Sequence, residues 1–406
     1  MKLGCLKDYF TGVAFKRMSA VEVDQNKSNQ HEFNGSVSLK KLLGDYKFST
    51  EAMFTRFSDT GNESEISQLT WYDARDNHPT RSEYRLYFKS NRVMDVADSG
   101  DLLILIMTRD GDFRVLVTER HSTVENQIKW LLGIEETGGG FVFNDFKSKM
   151  DEISYTMTLI LREIGVSIID YDNDHIDTLI QPFLANGFPT TKVFSEFARS
   201  HALYSEPVDD PDSTILEWMK VEEKLFRRME KHIVSERILK GFGSNEQVDV
   251  DSFIHFSLSV QNRRKARVGH ALENHLEEIF KLHDVRFDRG KITENHSKPD
   301  FLFPDIHTYH EFVNADNSVT VLGVKSTCKD RWRQVLAEAD KVKEKHLFTL
   351  EPGITVKQTD QMQHNLLQLV VPEDIQSTYS PGQSDWLLSL KDFIHLVKSK
   401  EKATGV

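Results

Sequence analysis

The chain has 406 residues, 39% of them hydrophobic and 28% charged, the balance of a folded globular protein long enough for two domains. Its net charge of −12 and pI near 5.8 exclude a polybasic coat for nucleic acid, although a local basic cleft can still set the field at a site. Two cysteines, Cys5 and Cys328, exclude a disulfide framework and a zinc quartet and suit a reducing cytoplasm. With no run near the ~20 apolar residues of a membrane span and no signal peptide at Met1, a cytoplasmic chain without a membrane partner is expected.

A first domain is expected over residues 1–175, a linker over 176–184 and a second domain over 185–406. The first domain reads mainly as β. Leu102–Met107 and Phe113–Thr118 flank Asp110-Gly111-Asp112, a hairpin with its turn residues in place. Glu83–Phe88 alternates like a half-buried strand, whereas Leu39–Leu43 and Met157–Ile164 read as helices. Gly138-Gly139-Gly140 lacks the Gly-Lys-Ser/Thr of a phosphate loop and reads as a flexible loop. Two polar segments stand out. One holds Lys16 and Arg17 with the later His31, and the other holds Arg81 and Arg85. They fit either solvated loops or surfaces that hold phosphates and read base edges.

Pro182, Gly187 and Pro189 signal a break between the domains. The acidic Glu206–Asp212 loop is unsuited to DNA, and Trp218–Leu239 reads as a helix for packing or dimer contact. Asn262-Arg263-Arg264-Lys265-Ala266-Arg267 precedes the apolar stripe of Leu272, Leu276, Ile279 and Phe280. Read as a helix start, this positive charge opposes the macrodipole and calls for an anion, such as DNA phosphate. Glu273 on the same helix suits either support of a metal or lysine or a surface salt bridge.

The stretch from Lys298 to Glu338 carries the chemistry. Lys298-Pro299-Asp300 leads into Phe301-Leu302-Phe303, and Val319–Lys325 follows as a strand that ends in lysine. Beyond Cys328 the period changes to helical, with Trp332, Val335, Leu336, Ala339 and Val342 on one stripe and Arg331 and Glu338 sharing a face. Cleaving a phosphodiester needs a divalent cation, and magnesium takes one or two carboxylates plus waters and phosphate. Asp300 and Glu338 can be those carboxylates, and Lys325 can hold water or steady the developing oxyanion. In Lys329-Asp330-Arg331 the arginine can pair with guanine and the aspartate can accept from cytosine. Alternatively Asp330 is a helix N-cap, and both roles can hold together.

Lys298–Phe303 and Val324–Gln334 closely resemble the EcoRII-type type II restriction endonucleases. The resemblance includes Lys240–Ser244, Ser259–Lys265, His346–Leu350 and Val370–Pro372, and so covers nearly all of the second half. It implies an α/β PD-(D/E)xK restriction-endonuclease-like fold for the second domain. For the first it implies a β-rich, B3-like pseudobarrel that binds DNA through two arms, one beginning near Lys16-Arg17 and including His31. It also implies Mg2+, a homodimer, double-stranded DNA cut at a short palindrome of the CCWGG kind, and a cognate DNA cytosine methyltransferase as counterpart. In the wider CCGG group the second metal carboxylate sits on the helix after the lysine, where Glu338 stands. The usual acidic position is Gly323 here, so it cannot be a ligand. Resemblance to the group's K-x-D-R segment favours base reading by Lys329, Asp330 and Arg331. Tyr309 matches a tyrosine of the family and is expected to orient the site, with His310 a neighbour rather than a ligand.

The expected function is therefore a type II site-specific deoxyribonuclease, with metal on Asp300 and Glu338 and Lys325 assisting water. Its first domain is expected to bind a second DNA site and to restrain cleavage until it does. The rivals are a methylation-dependent or repair nuclease of the same fold and a non-catalytic sequence-specific DNA-binding protein. Carboxylates held near phosphate argue against pure binding.

Overall fold

Runs in which successive side chains point to opposite faces build the first part of the chain into strands. A computed structural model describes residues 4–23, 31–135, 138–146, 153–168, 173–185, 187–203, 205–244, 247–311, 319–328 and 331–404. The chain divides into two units, Lys2–Ile169 and a second that contains Asp170–Pro352 and Val356–Val406. No helix of the described residues is long and apolar enough to cross a membrane.

The first unit holds strands β1 (Phe10–Arg17), β2 (Glu32–Asn34), β3 (Phe48–Phe57), β4 (Asn62–Asp73), β5 (Tyr84–Phe88), β6 (Leu102–Thr108), β7 (Phe113–Thr118) and β8 (Val142–Asp145). They form one open sheet in the order β2-β5-β4-β3-β7-β6-β1-β8, antiparallel throughout except for the parallel β3–β7 pair. The expected hairpin is present, with Leu102 opposite Thr118 and Met107 opposite Phe113. Its turn uses Gly111 at φ +87°, a left-handed conformation that favours glycine. Period two sends Leu102, Ile104 and Ile106 into a core with Ile128 and Leu131 of helix Thr123–Leu132. Leu103 and Leu105 face the other core, with Phe54, Trp71 and Leu39 of helix Val37–Leu43. Both faces of β6 are thus covered, which is why its sequence is apolar without alternation. Helix Tyr155–Glu163 matches the second helical expectation. The unit has the β-dominated class expected of the first domain.

The second unit begins with helices Asn173–Leu184, Thr191–Ser200 and Pro211–Leu239. Residues 176–184, expected as a linker, are therefore helical. Pro182 sits in the last turn, where only one backbone bond is lost, and Ile176 and Ile180 are buried with Phe194, Leu225 and Met229. Strands β9 (Gly243–Ser244) and β10 (Gln247–Val248) form a small hairpin before helix Val250–Leu282. That helix has 33 residues and is capped by Asp249. Arg263, Arg264, Lys265 and Arg267 therefore lie mid-helix, and the dipole argument for an anion at them does not apply.

The second sheet runs β11 (Asp288–Arg289), β12 (Phe301–Phe303), β13 (Thr320–Lys325), β14 (Lys345–Thr349) and β15 (Leu367–Val370) in spatial order. The first three are antiparallel and the last three parallel. An aromatic cluster fixes β12 to its flanking helices. Phe280 lies 5.2 Å from both Phe301 and Phe303, and Phe303 lies 5.5 Å from Phe393 of the helix Leu390–Thr404. Asp300, just ahead of β12, is therefore held by a rigid base.

The acidic loop at 206–212 has a structural task. Asp212 is 3% exposed and accepts from the N–H groups of Leu390 and Lys391 at 2.8 and 3.0 Å, which have no partner inside their own helix. Burial pushes its carboxyl up to about 6 despite those two bonds. Replacing Asp212 with Ala is expected to cost about 1–2 kcal/mol of stability, read as a lower urea midpoint at an unchanged slope.

Candidate active site

Strand β13 is the centre of the site. Thr320 to Val324 are buried, and the strand emerges at Lys325. Because β14 and β15 continue the sheet in parallel, β13 is covered on both faces, in keeping with apolar residues at both its odd and its even positions. Gly323 allows the covering. A Cβ there would stand 2.6 Å from a Val335 methyl of the helix Trp332–Leu336. The residue is a contact point between strand and helix, and an acid would not fit.

Asp300 and Lys325 meet. The Lys325 ammonium donates to Asp300 Oδ2 at 2.9 Å, and the Val324 N–H donates to the same oxygen at 2.6 Å. Their side chains are 10% and 18% exposed, so the pair is screened from bulk water yet reachable.

Glu338 arrives from a turn and not from a helix. The predicted helix through Val342 ends at Leu336, and the chain reverses through Ala339 at φ +50°. Trp332, Val335, Ala339 and Val342 are nevertheless buried as expected, but Arg331 and Glu338 share no helical face. The turn is tied down by Ser297 Oγ, which donates to Ala337 O at 3.3 Å. Glu338 Oε2 is buried and has no hydrogen-bond partner. Burial pushes its carboxyl up to about 7; the ammonium of Lys325 opposes the rise, the charge of Asp300 adds to it, and Lys345 opposes it. Glu338 and Asp300 are thus electrostatic neighbours around Lys325.

These residues fit a hard cation. An unsatisfied buried carboxylate oxygen beside a second carboxylate leaves a place for positive charge, and magnesium needs no more than one or two protein carboxylates. Among the described residues no cluster of three or more His, Cys, Asp or Glu side chains has the makings of a metal site. A closed zinc-type site is not built from them.

The other expected residues fall elsewhere. Tyr309 is buried among Leu302, Val319, Val321, Ala339 and Val342. Its hydroxyl donates to Glu294, not to Asp300 or Lys325, and burial followed by that bond raises its pKa. Its link to the site is packing against Ala339, the residue after Glu338. His310 is exposed and its carbonyl accepts from Lys341 at 2.9 Å. Glu273 is engaged by Arg289 at 2.7 Å, the salt-bridge alternative. Arg264 pairs with Glu230 at 2.6 Å, and Arg263 stacks 4.9 Å from the centre of the Phe188 ring. Lys329 and Asp330 lie outside the described residues. Arg331 is exposed and occupies the N-cap position expected for Asp330.

In the first unit, the cations expected in the arms are mostly used internally. Lys16 is 6% exposed and pairs with Glu22. Arg17 forms two bonds to Glu125, at 2.8 and 2.6 Å. Arg85 bridges Glu32 and Glu83 at 2.8 and 2.7 Å. His31 is half-buried with its ring edge-on to Phe88. Arg81 remains exposed. Sequence reasoning missed Glu294, Ser297 and Lys345. Lys345 opens β14, one residue ahead of the His346–Leu350 run that carries the resemblance, and a buried lysine leaves no periodic signal.

The family model described as EcoRII C terminal matches residues 226–394, the segment that carries Asp300, Lys325 and Glu338. Residues 226–394 are thus similar to the EcoRII C-terminal domain. The type II restriction enzyme EcoRII of Escherichia coli is 42% identical over 208 residues, which is 51% of this chain and 50% of the relative. The chain thus spans about half the length of the curated relative it matches. Two solved structures are also similar. Metal-depleted Ecl18kI in complex with uncleaved, modified DNA is 16% identical, with a TM-score of 0.46 over 58% of this chain and 86% of that one. The PspGI restriction endonuclease in complex with substrate DNA is 15% identical, with a TM-score of 0.45 over 55% of this chain and 96% of that one. A restriction-endonuclease-like fold for this segment is supported by the family match and by its mixed five-stranded sheet.

The raised carboxyl of Glu338 has a thermodynamic consequence. A cation competes with the proton for this group, so affinity should fall as pH drops below about 7, and binding at pH 6.5 should release protons. Calorimetric titration of Mg2+ in two buffers of different ionisation enthalpy should show this release in the native protein and a smaller one in Glu338→Gln.

Proposed function

We propose that the protein is a type II restriction endonuclease, which hydrolyses both strands of DNA at a short palindromic site of the CCWGG kind with Mg2+. The observation that carries the reading is the Lys325–Asp300 pair at the end of β13 with the unsatisfied Glu338 oxygen beside it, inside the EcoRII C-terminal match. Asp300 and Glu338 would hold the ion, which supplies Lewis-acid polarisation of the phosphoryl oxygens. Asp300 is oriented by the Val324 N–H and by Lys325. An ammonium has three donors. Beyond its bond to Asp300, Lys325 has donors to hold an attacking water and to steady charge on the phosphoryl oxygens. The products are a 5′-phosphate and a 3′-hydroxyl.

Exposed Arg331, with Lys329 and Asp330 beside it in sequence, is placed one short helix ahead of Glu338. It is suited to reading a G·C pair next to the cut. The half-exposed side of helix Val250–Leu282, with Arg263, Arg264 and Lys265, is suited to phosphate. A palindromic site calls for a homodimer, and survival of the host calls for a matching cytosine methyltransferase. The β-rich unit, with Arg81 exposed on it, is proposed to bind a second copy of the site in the manner of a B3-like domain and to restrain cleavage until then.

Replacing Lys325 with Ala is expected to reduce cleavage of a defined plasmid at least about a hundredfold while DNA binding in a gel-shift assay persists. Retained cutting would reject the assignment, and sequencing the fragment ends of methylated and unmethylated plasmid separates this reading from a methylation-dependent enzyme. A chain that starts at residue 173 keeps the helix Asn173–Leu184 and its buried Ile176 and Ile180. It should cut single-site DNA faster than the full chain. Unchanged or lost activity in a folded fragment would reject the restraint.

A further inference from the structure

We propose that Lys345 is a positioning residue for the Glu338 arm of the site, an inference that rests on the metal-site reading above. Burying an ammonium is costly unless it is bonded and balanced, yet Lys345 is 5% exposed at the start of β14. Its Nζ donates to the carbonyl of Leu336 at 2.5 Å. Leu336 is the last residue of the helix Trp332–Leu336. Carbonyls at a helix C-terminus lack partners inside the helix, and a cation is favoured there. The bond therefore fixes the point at which the chain leaves the helix, two residues before Glu338. The negative charges of Asp340, Glu338 and Glu294 all act on the same ammonium.

The two lysines divide the work. Lys325 is held on Asp300 and faces the reaction. Lys345 sits under the turn, anchors its backbone and offsets the charge of the second carboxylate. Second-layer partners of this kind set how firmly a ligand is presented to a metal. Removing Lys345 leaves the Leu336 carbonyl without its donor and Glu338 with Lys325 as its remaining neighbouring cation, so the carboxylate is less firmly presented.

The test uses the full chain and Mn2+ alone, followed by the EPR signal of the free ion, with thermal unfolding of the metal-free protein measured in parallel. Native protein should bind, and Glu338→Gln should bind far more weakly. Lys345→Met, which keeps the volume and removes the charge, should weaken Mn2+ binding by about tenfold or more without a matching loss of thermal stability. Lys345→Gln, which keeps a donor for the carbonyl, should fall between it and the native protein, and it serves if the methionine variant does not fold. Native affinity in both variants would overturn the proposal, as would a loss of thermal stability with unchanged Mn2+ affinity. If Glu338→Gln also binds as the native protein does, the metal-site reading itself falls and the role of Lys345 with it.

Discussion

One carboxylate oxygen organises the second unit. Asp300 Oδ2 takes the Val324 N–H at 2.6 Å and the Lys325 ammonium at 2.9 Å. The first bond ties the turn before β12 to the end of β13, and the second aligns the side chain that leaves the sheet. Neither residue could be set so firmly by a loop alone. Asp300 stands on an aromatic base of Phe280, Phe301 and Phe303, and Lys325 ends the central strand of five. Charge-assisted bonds of this kind are strong when water is partly excluded, so the pair is a structural clasp.

Gly323 explains where the second acid comes from. With the Val335 methyl 2.6 Å from any Cβ placed there, a carboxylate in the strand and this close helix packing are mutually exclusive. The close approach instead lets the helix Trp332–Leu336 lie directly on β13, and its end delivers Glu338 from the far side. The absence of an acid from the strand and a tightly packed helix are two consequences of one absent side chain.

The legible parts were those governed by local rules. Lys325 as a strand end, the 102–118 hairpin and the helices near 39–43 and 157–164 all followed from periodicity and turn residues. The helix after Cys328 was overextended because Trp332, Val335, Ala339 and Val342 fit a helical stripe and are all buried. A short helix followed by a turn at Ala339 satisfies the same spacing, and no glycine or proline marks the reversal. The basic run at 262–267 reads as a helix start because the apolar stripe of Leu272, Leu276, Ile279 and Phe280 follows it, although Val260 ahead of it is also buried. The earlier turns carry exposed apolar residues, among them Phe253, Ile254 and Leu258, and gave no amphipathic signal. Ion pairs between distant residues were beyond reach altogether. Arg17 and Glu125 are 108 positions apart, and composition does not distinguish a cation already paired from one free to meet phosphate.

Glu338 shows how such a site stays compatible with a stable fold. An isolated buried carboxylate would be strongly unfavourable if it had to remain ionised. Burial instead pushes this group up to about 7, so the side chain can keep its proton while the site lacks a cation. Lys325 and Lys345 limit the rise, which keeps ionisation within reach near neutral pH. A lower pKa would leave a fixed negative charge beside Asp300, and a higher one would make the proton too strong a competitor for a metal ion. The unsatisfied oxygen is thus tolerable in the folded chain and available for coordination, and both properties follow from placing one acid in a turn between two lysines.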